Sequence, residues 1–434
     1  MHERLCGKGG VPRLRYGVPE PKSNPYAALR IPNFRRYILG LLAFTIALQI
    51  QGTIVGWQIY ELTHDKLALG LIGLAEALPF ISLSLYAGHV ADRHDRRRIS
   101  ILALAVLMVC SVALLVLPIL LPTAPAKVIR AIYAVIVLSG LARAFLQPAR
   151  QAMGAEIVPR ELYSNAITWR SGTWQLASVI GPAMGGFLYA AGGARLAYAA
   201  DVALMLVGIG AIISMRHKSQ INPSHTEAVG ESLSSGIRFV FREKILLGSL
   251  TLDLFSVLFG GAVALLPVFA DEILHAGPQG LGLLRAAPAI GAVITSLILA
   301  HLPPMHRSGR ALFTAVAVFG ASMIVFGLST SFALSVGVLA LSGAADMVSV
   351  FIRSTLLQTI TPVHMMGRVS AVNSIFIGSS NEIGMFESGV TAQAFGTVPS
   401  VVLGGIATLV VVAITAWRVP SLRRLARMDA RSPA

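Results

Sequence analysis

The sequence predicts an all-α membrane protein of twelve transmembrane helices in two six-helix halves, with both termini cytosolic. Three observations lead there. The chain is 55% hydrophobic and only 13% charged, with a mean hydropathy of +0.72, more apolar surface than a soluble domain of this length buries in a core. A window of about 19 residues, enough to cross roughly 30 Å of hydrocarbon, picks out twelve apolar segments. The positive charge, finally, is distributed unevenly between the connections.

The chain opens with a basic, Gly- and Pro-rich stretch, MHERLCGKGGVPRLRYGVPEPKSNP, with no short apolar core and cleavage site after it. Residues 1–36 are therefore expected to be a disordered cytosolic tail and lead-in. The first six spans fall near 37–61, 67–90, 99–121, 128–152, 165–191 and 194–215. The second six fall near 244–272, 278–302, 311–330, 332–357, 369–394 and 396–418. Between the two sets, residues 216–243 form a cytosolic linker. Its second part places Leu233, Ile237, Val240 and Phe241 on one helical face, an amphipathic helix expected to lie along the inner leaflet. Residues 419–434 form a basic cytosolic tail.

With this topology the two tails, the even-numbered connections and the helix ends beside them hold 28 of the 35 Lys and Arg residues. The outer connections hold four, Lys66, Lys127, Arg130 and Arg195, and three more, Arg143, Arg170 and Arg285, lie inside spans. That bias puts both termini inside. The formal net charge of +15 is then a topological signal, and a nucleic-acid partner is excluded. The two cysteines, Cys6 in the tail and Cys110 within the third span, are not placed to form a disulfide. No metal-ligand cluster, nucleophile and base pair, cofactor motif or Gly-x-x-x-x-Gly-Lys-Ser/Thr loop is present, so an enzyme and an ATP-driven pump are both disfavoured.

The halves repeat. LGLIGLAEALP from Leu69 aligns with LGLLRAAPAIG from Leu281, and the same offset pairs His89 with His301 and Arg98 with Arg310. A second register pairs Arg150 and Pro159 with Arg353 and Pro362. Parallel repeats of this kind belong to alternating-access carriers.

Two motifs carry more. After the second span the chain reads GHVADRHDRRR, in which Gly88 would allow helices to approach and Asp92 and Arg93 would bridge helix ends, with Arg96 and Arg97 in the headgroups. The fifth span reads LASVIGPAMGGFLYAAGG, where Gly181, Pro182, Gly185 and Gly186 favour a bend and close packing. The first motif resembles the cytoplasmic signature of the major facilitator superfamily, with Asp95 where that pattern has Gly. The second resembles the span-five signature of that superfamily's proton-driven antiporters, with Ala177 where a further Gly is usual. AFLQPARQAMGAEIVP and GIRFVFRE are similar to the branch that includes the enterobactin exporter. The resemblance implies a clasp of Asp92 and the arginines holding the halves together at the cytosolic side. It also implies a central cavity lined by spans one, four, seven and ten, with two, five, eight and eleven beside them. In the second half HLPPMHRSGR keeps only Gly309 and Arg310 of the first motif, with Pro304 in place of Asp92.

Charges within spans must pair, face water or be neutral, and burial favours the neutral carboxyl, so such acids are natural proton carriers. Candidates for proton coupling or substrate contact are Glu76, Asp253, Asp346, Glu382, Glu387 and Arg143, with Gln49 and Gln51 as neutral contacts. Each has a plain alternative as an inter-helix tie. Glu382 and Glu387 stand about 140° apart around one helix, so one is expected to face the cavity and the other a neighbouring helix. Glu387 shares a polar stripe with Ser380, Gly384 and Thr391 that is a candidate for the cavity face.

The function expected is proton-coupled export of a small amphipathic compound, siderophore-like or drug-like, by a monomer in the bacterial cytoplasmic membrane. The partners are then the substrate, protons and the lipid bilayer, with no cofactor. Facilitated uptake or lipid flipping on the same fold is the nearest rival. A receptor or scaffold without transport is the rival from another class.

Overall fold

A computed structural model describes residues 24–120, 124–216, 229–302, 307–362 and 365–425. The remainder of the N-terminal and C-terminal tails, and residues 217–228 of the linker, lie outside the described residues. Everything regular is helical. The first four long helices are α1 (Pro32–Thr63), α2 (Lys66–Arg93), α3 (Arg96–Leu120) and α4 (Pro125–Glu156). Proline in the first turn starts α1 and α4, where its missing N–H is not needed. The Asp65 carboxylate caps α2 by accepting from the Leu67 N–H at 2.9 Å.

Next comes α5, Tyr163–Ile213, a single helical run interrupted at Gly192 and Gly193. Gly193 sits at φ +65, a conformation that costs a glycine little and other residues much. At 51 residues the run would measure about 76 Å if straight, far more than one membrane crossing needs.

The linker helix α6 (Val229–Arg242) leads to α7 (Lys244–Gly260). After Gly260 regular structure lapses, then resumes in a short 3-10 turn, the one-turn α8 (Leu266–Val268) and a π-helical turn, Phe269–Ile273. The expected span over 244–272 is therefore a broken helix. Then follow α9 (Gly277–His301), α10 (Ser308–Leu328), α11 (Phe332–Ile360), α12 (Met366–Phe395), α13 (Thr397–Arg418) and the short α14 (Pro420–Arg423).

Ten helical segments among the described residues are long and apolar enough to cross a membrane. Large apolar side chains point outward along them, among them Leu102 at 68% exposed, Leu328 at 65% and Trp417 at 74%. A coat of this kind is unstable in water and stable in lipid. Packing groups α1, α2, α3, α4 and α5 together, and α7, α9, α10, α11 and α13 together, with α2 against α12 and α5 against α9 joining the groups.

Two connecting segments pack on the bundle. Residues 24–31, the lead-in to α1, are held against α5. Pro25 O accepts from Asn165 Nδ2 at 2.7 Å and from Trp169 Nε1 at 2.9 Å, and Tyr26 packs on the Trp169 ring. Helix α6 does not simply lay its apolar face on the leaflet. Val240 is buried with Leu246, Leu357 and Val369, while Ile237 and Phe241 remain exposed. Gly236 permits this, since a methyl group there would stand 2.9 Å from Arg368 O.

Candidate functional site

The two helix groups meet most closely at two glycine crossings. A methyl group added at Gly70 of α2 would stand 2.9 Å from Gly389 Cα of α12. One added at Gly282 of α9 would stand 3.1 Å from Gly186 Cα of α5. No side chain fits at either place. The crossings are copies of each other: Gly70 and Gly282 occupy the same position in the two aligned repeat segments. Gly186 and Gly389 are likewise related by the register that pairs Arg150 with Arg353. Near this end Tyr60 donates to Glu272 and Tyr189 donates to Glu61.

The span-five motif builds this closure. Gly181 lies on Gln49 and Ile46 of α1, Gly185 lies on Ile50 of α1, and the carbonyl of Pro182 lies on Gly282. At the opposite end contacts loosen. A methyl group at Gly88 would meet nothing within 4 Å, so the close helix approach expected there is absent in this conformation. The arginines of that loop instead tie the first group to itself. Arg96 pairs with Glu156 and, at 3.5 Å, with Asp92, while Arg97 donates to the carbonyls of Ile212 and Ile213. Asp92 and Arg93 are exposed.

Behind the glycine crossings lies a cavity of about 210 Å³ between α1, α2, α4, α5, α9, α12 and the broken segment after α7. Its polar wall is formed by Gln49, Glu76, Arg143, Gln147, Arg150, Arg285 and Glu382. Arg143 of α4 forms an ion pair with Glu76 of α2, and its charge also acts on Glu382 of α12. Glu382 Oε2 is buried with no hydrogen-bond partner. One guanidinium thus pairs with a carboxylate of its own helix group while its charge acts on a carboxylate of the other, and all three line the same cavity. Arg285 of α9 donates to Gly52 O of α1 at 2.8 Å. Arg150 lies over the rings of Phe44 and Trp174 at 5.7 and 6.0 Å, a cation–π arrangement.

The other sequence candidates lie elsewhere. Asp253 forms a buried ion pair with Arg353 between α7 and α11, and Asp346 is within reach of the Arg353 charge. Neither lines the central cavity, because α7 and α11 turn these residues toward each other. Glu387 is half-buried off the cavity wall. Its stripe is the packing face of α12: Gly384 rests on the Leu258 carbonyl, Ser388 donates to Gly261 O at 2.9 Å, and Thr391 bonds Ser400 at 2.6 Å. The Ser388 hydroxyl answers the Gly261 carbonyl left open by the break after α7. Gln51 reaches Ser111 of α3 at 3.4 Å and acts as a tie, whereas Gln49 lines the cavity. Asp201 is fully buried beside Ser111 of α3.

Sequence reasoning missed Arg150, Arg285 and the break at Gly260 and Gly261 as parts of the site. Arg285 was visible as a charge within a span, and a Gly-Gly pair followed by Pro267 was available as a signal for the break.

A small polar cavity at the junction of two repeated helix groups, joined by backbone-close glycine crossings, is the construction of a membrane carrier. The chain matches over residues 23–433 the family described as Transmembrane secretion effector, and it belongs to that family. It is 28% identical over 406 residues to the enterobactin exporter EntS of Shigella flexneri, covering 89% of this chain and 93% of that protein. It is 28% identical over 408 residues to EntS of Escherichia coli O1:K1, covering 89% and 94%. Among solved structures, the nucleoside transporter NupG superposes with a TM-score of 0.69 at 11% identity, over 89% of this chain and 99% of that one. A POT family transporter in complex with 5-aminolevulinic acid gives 0.71 at 12% identity, over 90% and 96%. The protein is a multi-pass membrane protein of major facilitator fold and a secondary transporter.

Proposed function

We propose that this protein is a monomeric proton-coupled exporter of a small amphipathic compound, working by alternating access with twelve spans in two halves and both termini cytosolic. The halves are residues 37–215 and 244–418, joined by the linker 216–243. Two facts support the count of twelve. The Gly192–Gly193 break leaves two lengths of α5 that can each cross the bilayer, and α12, at 30 residues, is long enough although its acids lower its apolarity. Under this topology the glycine crossings are extracellular and the conformation faces inward. The exposed Asp92 then belongs to a clasp that engages the other half only when the carrier faces out.

The observation that carries the reading is Arg143 between Glu76 and Glu382. Arg143 is taken up by its ion pair with Glu76, and the second acid, which has no ion pair of its own among the described residues, can take a proton or bind something else. Glu382, on the opposite half from Arg143 and with an unpartnered oxygen, is that acid. A substrate hydroxyl or amide donates to Glu382 when it is ionised. A proton arriving from outside removes that acceptor and expels the substrate, and release of the proton inside restores it. Arg150 and Arg285 receive acceptor oxygens of the substrate, and Trp174 its apolar part. Similarity to the enterobactin exporters favours a siderophore-like compound. The cavity seen here is below the roughly 300–1,000 Å³ typical of drug-sized ligands, so loading requires the halves to part further. Proteoliposome transport tests the reading: substrate movement must follow an imposed pH gradient, and indifference to that gradient removes the coupling.

A further inference from the structure

In the first half each of the loop arginines 96–98 already has a partner. Arg96 pairs with Glu156 and Asp92, Arg98 with Asp95 at 3.7 Å, and Arg97 with two carbonyls. The corresponding second-half loop has lost its acid, Pro304 standing in place of Asp92, yet it keeps Gly309 and Arg310. The structure assigns those residues another use. The chain after α13 folds back on the start of α10. Gly309 N–H donates to Leu425 O at 3.2 Å, and Leu422 is fully buried with Leu312 and Phe313. A methyl group at Gly309 would collide with the Leu422 carbonyl, so glycine is needed for this docking.

The fold-back creates a cavity of about 640 Å³ lined by Arg307, Arg310, Arg423 and Arg424 together with Phe313 and Leu425, and among the described residues no Asp or Glu lines it. Four arginines around one cavity favour a multivalent anion, and planar forks of this type suit phosphate. Immediately beside it Trp417 is 74% exposed with Arg418 over its ring at 5.5 Å, a pairing that marks headgroup depth. Ile406, Val410, Ile414 and Trp417 form one exposed apolar stripe along α13, against which acyl chains can lie. Under the proposed topology this end of α13 is cytosolic.

We infer that this basic cavity between α10, α13 and α14 is a binding site for an acidic phospholipid of the inner leaflet, its phosphate held by the four arginines. The site is separate from the substrate cavity, and its test does not depend on transport.

Native mass spectrometry of the purified full-length protein in detergent, with phosphatidylglycerol and phosphatidylcholine offered in competition, reads it directly. Phosphatidylglycerol should be retained at least about tenfold better. Each arginine near a charged headgroup contributes roughly fivefold, so losing two of them in Arg310→Gln with Arg423→Gln should abolish a preference of about tenfold. Arg97→Gln, whose guanidinium is already held by carbonyls, should leave it unchanged. Equal retention of the two lipids by the wild-type protein overturns the assignment whether or not the double variant folds. So does an unchanged preference in a monodisperse double variant, and so does displacement of the lipid by an equal concentration of inorganic phosphate.

Discussion

Replacing Glu382 with Gln removes one titratable proton from the cavity while keeping the size of the side chain. Its Oε2 has no hydrogen-bond partner to lose, and Arg143 keeps Glu76, so folding should change by less than about 1 kcal/mol. The effect on coupling is large. In one-for-one exchange, a difference of one pH unit is worth about 1.4 kcal/mol and sustains roughly a tenfold substrate gradient. Proteoliposomes of the wild-type protein should approach that ratio, and Glu382→Gln should hold a ratio of about one. Counterflow of labelled against unlabelled substrate should persist in the variant only at a raised substrate concentration, because exchange without net coupling needs no proton but Gln resembles the protonated acid that holds substrate less well. Glu387→Gln, whose stripe packs on α7 and α13 and not on the cavity, should behave as wild type. A Glu382→Gln protein that still builds a pH-driven gradient would refute the assignment of the proton to this acid, and loss of coupling in Glu387→Gln would refute the placement.

Three further outcomes follow from particular contacts. Arg353→Leu leaves Asp253 buried without its cation and should cost about 3–5 kcal/mol, read as a fall in Tm in detergent, with much of it recovered when Asp253→Leu is added. Gly282→Val drives methyl groups into Gly186 Cα, so the end that carries Tyr60 and Glu272 should not close; a cysteine placed at Gly56 on the cavity wall should become more reactive to an impermeant thiol reagent added outside. An unchanged labelling rate would count against the glycine gate. Gln49→Leu should raise the KM for transport with little loss of stability, whereas Gln51→Leu, which only loses its reach to Ser111, should cost about 1 kcal/mol of stability and leave KM alone.

The repeat explains why so much of the architecture was legible. Membrane crossing is a property of local composition, so spans and linker can be read by summing over a window of residues. The limits near 191 and 194 fell on the Gly192–Gly193 break for this reason, since the only polar punctuation there is a pair of glycines. The register between repeats likewise paired Gly70 with Gly282 before either was known to mark a crossing.

Which face of a helix looks into the cavity is not a local property. Glu382 and Glu387 lie in the same apolar run, and the sequence left open which of them faces the cavity. The rotation of α12 was decided by partners far along the chain: Gly389 must meet Gly70, and Ser388 must answer the carbonyl left open at Gly261. With those two contacts made, Glu382 is carried to Arg143. The same is true of Asp253, which reads as a cavity acid until Arg353 is found across from it. Sequence alone determined that this chain lives in the membrane as a repeated bundle with a few costly charges inside. Tertiary packing alone decided which of those charges meet an opposite charge and which face the cavity, because a buried charge takes its surroundings from the groups that other helices bring to it.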